Sequence, residues 1–291
     1  MSRVAVALLA IVLLAGCTTG TGNGTGIVVT TNILGDITRN IVGDEAEVSV
    51  LMKPDSDPHS FGVSAQQAAR LEHADLVVYN GLGLEEGVLR NVQAAREAAV
   101  PTLAVGDGVI GDADADPHFW TDPQQVAKAV DLIAERVVAE VDGVDAARVR
   151  ANAAAYRSRI SELDTWMATQ IAAIPAGNRK LVTNHHVFGY FAKRYGFAVV
   201  GAVIPSGTTL ASPSAFDLKS LADAIRRTKV KAIFADSSHP DRLAQVLASE
   251  TRLDVRVVTL FSESLSQRQP GAATYLDMMR TNTTAIVTSL Q

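Results

Sequence analysis

Residues 146–174 read AARVRANAAAYRSRISELDTWMATQIAAI, a stretch without glycine or proline that Pro175 ends. Its apolar residues recur every three or four positions, at Val149, Ala153, Tyr156, Ile160, Leu163, Met167, Ile171 and Ile174. This spacing forms one continuous stripe on an α-helix that is on the order of 40 Å long. We predict that the helix joins two halves of the chain and permits less swing than a flexible linker. A long helix inside a single lobe is the alternative.

On both sides of this helix, short β-branched runs alternate with segments of helical period. The predicted strands are 27–31, 48–51, 76–79, 102–105, 180–183, 198–203, 232–235 and 255–260, and the predicted helices are 64–74, 84–98, 123–143, 187–195, 215–228, 241–250 and 274–290. Apolar strands that alternate with helices form parallel sheets covered on both faces. We therefore predict an α/β protein of two lobes, each with a parallel-type sheet flanked by helices, joined by one long rigid helix. The predicted boundaries are an N-terminal lobe over 27–144, a linker helix over 145–175 and a C-terminal lobe over 176–291.

The first 26 residues have the pattern of an exported, lipid-anchored protein. Arg3 precedes an apolar run at 4–14, and the small residues of LAGC at 14–17 follow it. The run is too short for a permanent transmembrane helix, so we predict a signal peptide over 1–16. Its end resembles a bacterial lipobox, in which Cys17 is acylated; an ordinary signal peptide is the alternative. Residues 17–26, rich in glycine and threonine, are predicted to be a flexible tether.

Composition narrows the compartment and the class of partner. Cys17 is the only cysteine, so no internal disulfide is expected. Removal of residues 1–16 takes away Arg3 and moves the formal charge from −5 to −6. A mildly acidic chain without basic runs is a poor candidate for binding nucleic acid. We predict an extracytoplasmic monomer anchored to the cell membrane by its lipid.

The tripeptide Asp-Pro-His occurs twice, at 57–59 and 116–118, with an aromatic residue soon after. Proline fixes its own φ and restricts the residue before it, so His59 and His118 project from stiff loops. A metal ligand needs this stiffness, whereas a solvated histidine does not. Both are candidate metal ligands; two unrelated turns are the alternative.

Two further candidates follow predicted strands of the second half, where ligands bind in open α/β sheets. His185 lies at one strand end, and its neighbour His186 cannot easily point in the same direction. Glu263 follows the last strand, where its carboxylate would complete a four-coordinate site. From the residues alone Asp236, with His239 behind it, competes for this role.

Three imidazoles and one carboxylate suit Zn²⁺ in tetrahedral geometry, whereas Mn²⁺ prefers more oxygen and Cu(I) prefers sulfur. Each imidazole must be neutral to bind, so binding is expected to weaken as the pH falls through the imidazole range. Asp57, Asp116 and Asn184 adjoin the ligands and are the expected acceptors for the free ring N–H groups.

Several longer motifs point to one family. They are DPHSF at 57–61, ADLVVYNGLGLE at 74–85, DPHFWTDP at 116–123, HHVFGYFAKRYGF at 185–197, LFSESL at 260–265 and TYLDMMRTN at 274–282. With these motifs the chain resembles the cluster A-I (cluster 9) solute-binding proteins, the ZnuA/TroA-like metal receptors of ABC importers. The resemblance implies a metal held between two lobes bridged by a long helix. It carries the ligands over to His59, His118, His185 and Glu263.

The resemblance implies a receptor without enzymatic activity that captures Zn²⁺ and delivers it to the permease and ATPase of an ABC importer. The chain departs from the family where residues 106–116 lack histidine and where Glu263 replaces the usual aspartate. A manganese receptor and a surface metal-binding adhesin are alternatives. A zinc hydrolase is a further one, but it needs an open coordination position that four protein ligands would close.

Overall fold

Two four-stranded sheets, parallel throughout, organise the computed structural model, which describes residues 26–112, 115–267 and 271–291. The strand orders are β2-β1-β3-β4 and β6-β5-β7-β8. The strands are β1 (Ile27–Val29), β2 (Val48–Val50), β3 (Leu76–Tyr79), β4 (Thr102–Ala104), β5 (Lys180–Thr183), β6 (Ala198–Ala202), β7 (Ala232–Asp236) and β8 (Arg256–Leu260). All six strand pairings are parallel, as the continuous apolar runs predict.

Ten helices connect and cover these sheets in the described part of the chain. They are α1 (Asn32–Val42), α2 (Ala65–Glu72), α3 (Leu89–Glu97), α4 (Val105–Ile110), α5 (Pro123–Glu140), α6 (Ala146–Ala172), α7 (Gly189–Tyr195), α8 (Ala215–Thr228), α9 (Arg242–Thr251) and α10 (Tyr275–Leu290). We call β1–β4 with α1–α5 the first lobe and β5–β8 with α7–α10 the second lobe. Helix α6 lies between the two lobes in the sequence.

Each strand of the central part of a sheet contributes to two cores. In β3, Leu76 and Val78 face a core that includes α1, α5 and α6, while Val77 and Tyr79 face α2 and α3. The core on the α6 side continues into the second lobe, where it takes in residues of β5, β7, α7 and α10. The two lobes therefore share one apolar core on one side and have separate smaller cores on the other.

The long helix carries the buried stripe that its sequence predicts. Its side chains Val149, Ala153, Tyr156, Ile160, Leu163, Met167 and Ile171 are all buried, as is Ile174 just beyond its end. Asp145 caps the first turn by accepting hydrogen bonds from the backbone N–H groups of Ala147 and Arg148. The stripe contacts α1 and α5 of the first lobe and α10 of the second. The predicted α/β fold class, two parallel-sheet lobes with a long connecting helix, is confirmed.

The structure differs from the prediction at three helices, two that were not predicted and one that begins later. Helix α1 was not predicted because Gly35 interrupts its pattern, yet the glycine is needed: a Cβ there would lie 2.4 Å from Cγ2 of Val50. Helix α4 was also missed, within a segment that reads as an acidic loop. Helix α3 begins at Leu89 instead of residue 84. The preceding residues form a turn because the Glu85 carboxylate accepts hydrogen bonds from the backbone N–H groups of Asn80 and Gly81.

Within the described residues, no helix has the length and apolar character needed to cross a membrane. The predicted signal peptide over 1–16 and the acylation of Cys17 lie outside the described residues, as does the tether apart from Gly26.

Candidate metal centre

The four predicted ligands come from four different loops, two in each lobe. His59 lies in the loop after β2, and His118 lies just before the short 3-10 turn at Phe119–Thr121 that leads into α5. His185 follows β5, and Glu263 follows β8. Parallel strands in one sheet bring their carboxyl ends to the same edge, so these loops meet in the cleft between the lobes. All four side chains are at most 1 % exposed.

The donor atoms of these residues converge on one point. Nε2 of His118 lies 3.2 Å from Nε2 of His59 and 3.3 Å from Nε2 of His185. Oε1 of Glu263 lies 3.0 Å from Nε2 of His185 and 3.4 Å from Nε2 of His118. Nε2 of His59 lies 3.8 Å from Oε2 of Glu263.

These separations fit a small tetrahedral cation. Ligand atoms about 2.0–2.1 Å from Zn²⁺ at tetrahedral angles stand roughly 3.3 Å apart. The donor atoms of the four residues all lie within 4.8 Å of one another. Neither carboxylate oxygen of Glu263 makes a hydrogen bond within the described parts of the chain, although both are buried. A buried carboxylate facing three imidazole nitrogens has the chemistry of a cation site.

Both Asp-Pro-His tripeptides form the same turn. Oδ1 of Asp57 accepts a hydrogen bond of 2.9 Å from the backbone N–H of His59, and Oδ1 of Asp116 accepts one of 3.0 Å from that of His118. This is the local bond by which aspartate stabilises a turn two residues ahead, and here it fixes each histidine backbone. The repeated motif is thus a device that orients a ligand.

The predicted acceptors for the ring N–H groups are only partly correct. Oδ1 of Asp116 lies 2.6 Å from Nδ1 of His118, so Nδ1 donates and the lone pair of Nε2 faces the other donors. Asp57 instead accepts a hydrogen bond from the backbone of His59, and the side-chain NH₂ of Asn184 has no hydrogen-bond partner in the described part of the chain. Nδ1 of His59 and Nδ1 of His185 have no hydrogen-bond partner among the residues that the structure describes.

Burial sets the protonation of the site. It lowers the pKa of His59 to about 3 and that of His185 to about 4, so both imidazoles are neutral at physiological pH. Burial also raises the pKa of Glu263 to about 8, although the nearby His118 opposes the shift. The pKa values of His59 and His185 thus lie below the ordinary imidazole range, and the carboxyl group of Glu263 titrates near neutrality.

Asp236, the competitor of Glu263, is buried but already bonded. Its Oδ1 accepts a hydrogen bond of 2.8 Å from the backbone N–H of Ser238, and its Oδ2 accepts bonds from the backbone and hydroxyl of Ser262. It thus ties the ends of β7 and β8 together next to Glu263. His239 lies with Nε2 3.3 Å from Oδ2 of Asp57. The side chains of His186 and His73 are exposed, and neither belongs to the convergent group.

Sequence patterns missed residues that hold the ligand loops in place. Trp120 of the first lobe donates a 2.9 Å hydrogen bond from Nε1 to the carbonyl of Ser262, beside Glu263, and its ring packs against that of His118. The side-chain NH₂ of Asn80 donates a 3.0 Å hydrogen bond to the carbonyl of Pro117. The backbone N–H of Asn80 in turn donates a hydrogen bond to the carboxylate of Glu85. The available signal was their place in two quoted motifs, DPHFWTDP for Trp120 and ADLVVYNGLGLE for Asn80 and Glu85.

Comparison with known proteins agrees with this geometry. The family described as "ZnuA: Zinc-uptake complex component A periplasmic" matches residues 27–289. The chain is 30 % identical to the zinc-binding protein TroA of Treponema pallidum, covering 99 % of this chain and 98 % of that protein. It is 29 % identical to the manganese-binding lipoprotein MntA of Halalkalibacterium halodurans, covering 98 % and 97 %.

The fold agrees as well. The solved structure of the periplasmic zinc binding protein TroA from Treponema pallidum has a TM-score of 0.85 and 29 % sequence identity, covering 91 % of this chain and 98 % of that chain. The chain belongs to the ZnuA/TroA family of metal-binding, substrate-binding proteins of zinc and manganese ABC transporters.

Proposed function

We propose that this protein is an extracytoplasmic receptor that captures Zn²⁺ between its lobes and delivers it to an ABC importer. The observation that carries the proposal is the convergence of three imidazole nitrogens and one carboxylate within 4.8 Å, all of them buried. His59, His118, His185 and Glu263 are the proposed ligands. The name of the relative TroA, a zinc-binding protein, supports zinc as the cargo.

The donor set favours zinc over manganese. Neutral imidazoles are good ligands for Zn²⁺, and a compact site of four donors matches its tetrahedral preference. Mn²⁺ favours more oxygen ligands, and Glu263 is the one carboxylate in the group. Manganese is still the second candidate cargo, because the relative MntA is named for manganese binding.

We infer that the protein has no enzymatic activity of its own. A zinc hydrolase keeps one coordination position for water, whereas four protein ligands would complete a tetrahedral shell here. The cation is the transported cargo, so the proposed role of the protein is to bind it and to release it to the importer. The proposed partners are the permease of the importer and its ATPase.

The N-terminal segment completes the proposal. We expect cleavage before Cys17, acylation of this cysteine, and a tether to residue 26 that leaves the lobes free above the membrane. The proposed division is a lobe over 27–144, a linker helix over 145–175 and a lobe over 176–291. We expect a monomer. Intact-mass measurement of protein from a bacterial membrane fraction, with Cys17→Ala as the control, tests the anchor directly.

A competition titration tests the site. Metal-stripped protein would be titrated with Zn²⁺ and, separately, Mn²⁺ against a chromophoric chelator. Alanine variants of the four proposed ligands are compared with the wild type, and His73→Ala, a change at an exposed histidine, serves as the matched control. Loss of a histidine ligand is expected to weaken zinc binding by more than the roughly 10–100-fold that follows loss of a supporting residue.

The outcomes separate the alternatives. One tight zinc site that the histidine variants weaken and the His73 control leaves intact would support the proposal. Tight binding that none of the four substitutions changes would mean that the metal binds elsewhere. Stronger binding of Mn²⁺ than of Zn²⁺ would move the cargo to manganese.

A further inference from the structure

The two histidine loops of the first lobe are held from the second lobe. Oγ1 of Thr209, in the loop between β6 and α8, donates a 2.7 Å hydrogen bond to Oδ2 of Asp57. The hydroxyl of Tyr190, in α7, donates a 3.0 Å hydrogen bond to the backbone carbonyl of Asp116. Each bond crosses the cleft and ends on the aspartate of one Asp-Pro-His tripeptide.

These contacts continue to the proposed ligands through the turn that both tripeptides form. Asp57 has one carboxylate oxygen on Thr209 and the other on the backbone of His59, so it joins the second lobe to His59. The backbone carbonyl of Asp116 accepts a hydrogen bond from Tyr190, and its carboxylate accepts hydrogen bonds from the backbone N–H and the ring of His118. The same three-residue unit is therefore used twice, each time with one end on a histidine and one end across the cleft.

We propose that Thr209 and Tyr190 are positioning residues that fix His59 and His118 from the opposite lobe and slow the release of the bound cation. This inference rests on the proposed function. Each hydroxyl donates its hydrogen bond to an aspartate, so each acts on its histidine through that aspartate. Movement of the lobes apart would break both bonds and free both histidine loops together, while His185 and Glu263 would stay with the second lobe.

The strength of the two contacts is expected to differ. The Thr209 bond ends on a carboxylate that is 7 % exposed, and hydrogen bonds to charged groups are roughly twice as strong as neutral ones. The Tyr190 bond ends on a neutral carbonyl, and both Asp116 and Tyr190 are partly exposed. Thr209 should therefore contribute more to retention of the cation than Tyr190.

Stopped-flow measurement of zinc release into an excess of chromophoric chelator tests the inference. Thr209→Val and Tyr190→Phe remove one hydroxyl donor each and preserve the shape of the side chain. We expect zinc to dissociate about tenfold faster from Thr209→Val and about fivefold faster from Tyr190→Phe, from the usual strength of charged and neutral hydrogen bonds. The double variant is expected to be about fiftyfold faster, because the two bonds share no residue.

Two matched controls separate positioning from general loss of stability. Thr208→Val alters the neighbouring threonine, whose hydroxyl accepts a bond from Leu210 in its own loop. Tyr195→Phe removes a part-buried 2.7 Å hydrogen bond to Asp164 of α6, a residue outside both Asp-Pro-His tripeptides. Both controls should release zinc at the wild-type rate. The metal-free forms of Thr209→Val and Tyr190→Phe should melt no lower than metal-free Tyr195→Phe.

Unchanged release rates in both test variants would overturn the inference and leave the proposed function standing. Equal acceleration in the two controls would also overturn it, because the effect would then report only stability. If the wild-type protein bound neither zinc nor manganese, the proposed function and this inference would both be wrong.

Discussion

Replacing Glu263 by glutamine should lower the number of protons that the protein releases when zinc binds at neutral pH. Burial raises the pKa of Glu263 to about 8, so about 0.9 of the molecules without metal hold this proton at pH 7. A carboxylate must lose its proton to coordinate a metal. Zinc binding should therefore release about 0.9 proton from this group at pH 7 and about 0.1 at pH 9.

Isothermal titration calorimetry in two buffers of different ionisation enthalpy counts the released protons. Other titrating groups contribute to the total, so the quantity of interest is the difference between the wild type and Glu263→Gln. Three imidazoles remain in the variant, and zinc binding is expected to persist at lower affinity. Glu86→Gln, a change at an exposed carboxylate of the first lobe, should release as many protons as the wild type.

The affinity itself should follow the same titration. Below pH 8 each unit of acidification should weaken zinc binding by about tenfold through Glu263, and above it this contribution should disappear. Because the pKa values of His59 and His185 lie at about 3 and 4, these two groups add no further slope near neutrality. Equal proton release by the wild type and Glu263→Gln at pH 7 would refute the assignment of the buried proton.

Three further results are expected. Without metal, Glu263→Gln should resist urea better than the wild type at pH 8, and the two proteins should have similar stability near pH 5. The pKa of Glu263 is about 8 in the folded state and 4.5 ordinarily, so between these pH values the folded wild type binds one proton more than the unfolded chain. The free energy of unfolding of the wild type therefore falls by up to about 1.4 kcal/mol for each pH unit of increase in this range. Asp116→Asn should weaken zinc binding by about 10–100-fold in the chelator titration, because the ring of His118 loses its charged acceptor, and an unchanged affinity would contradict that role. Leu163→Ala, fully buried in α6, should lower the free energy of unfolding by about 2–5 kcal/mol without changing the zinc stoichiometry, and a lost site would show that α6 shapes the centre directly.

The sequence predicts most of the architecture because the apolar pattern is dense. The stripe along α6 and the apolar runs of the strands each have one plausible structure, and the structure contains both. The pattern fails where packing demands an unfavourable residue. Gly35 lowers the helical signal of α1, and its reason for being there is a contact with Val50, which no local pattern reveals.

The residues of the site also differ in how well the sequence predicts them. The repeated Asp-Pro-His tripeptide identifies His59 and His118 as candidate ligands from sequence alone, because the same three residues contain the ligand and the proline that stiffens its loop. The local sequence does not distinguish Glu263 from Asp236 as the fourth ligand, since each is an acidic residue at the end of a predicted strand. The family resemblance points to Glu263, and the folded chain separates the two acids physically by placing serine donors on Asp236 and imidazoles around Glu263.

The supporting residues are the least visible from sequence. Thr209 and Tyr190 lie in a polar loop and a short helix, and each acts on a residue of the other lobe. Trp120 crosses in the opposite direction, from the first lobe to the carbonyl of Ser262. Contacts of this kind depend on how two lobes meet, and hydrophobic periodicity contains no information about that.

The core that runs along α6 also determines how the molecule comes apart. Two lobes on a loose tether would melt in two steps, and either could be produced alone. Here the same helix closes the core of both, so a fragment that ends before it or begins after it would leave a long apolar stripe or its counterpart open to water. The receptor is consequently expected to be made, to denature and to be degraded as one cooperative unit, and its halves are poor starting points for separate engineering.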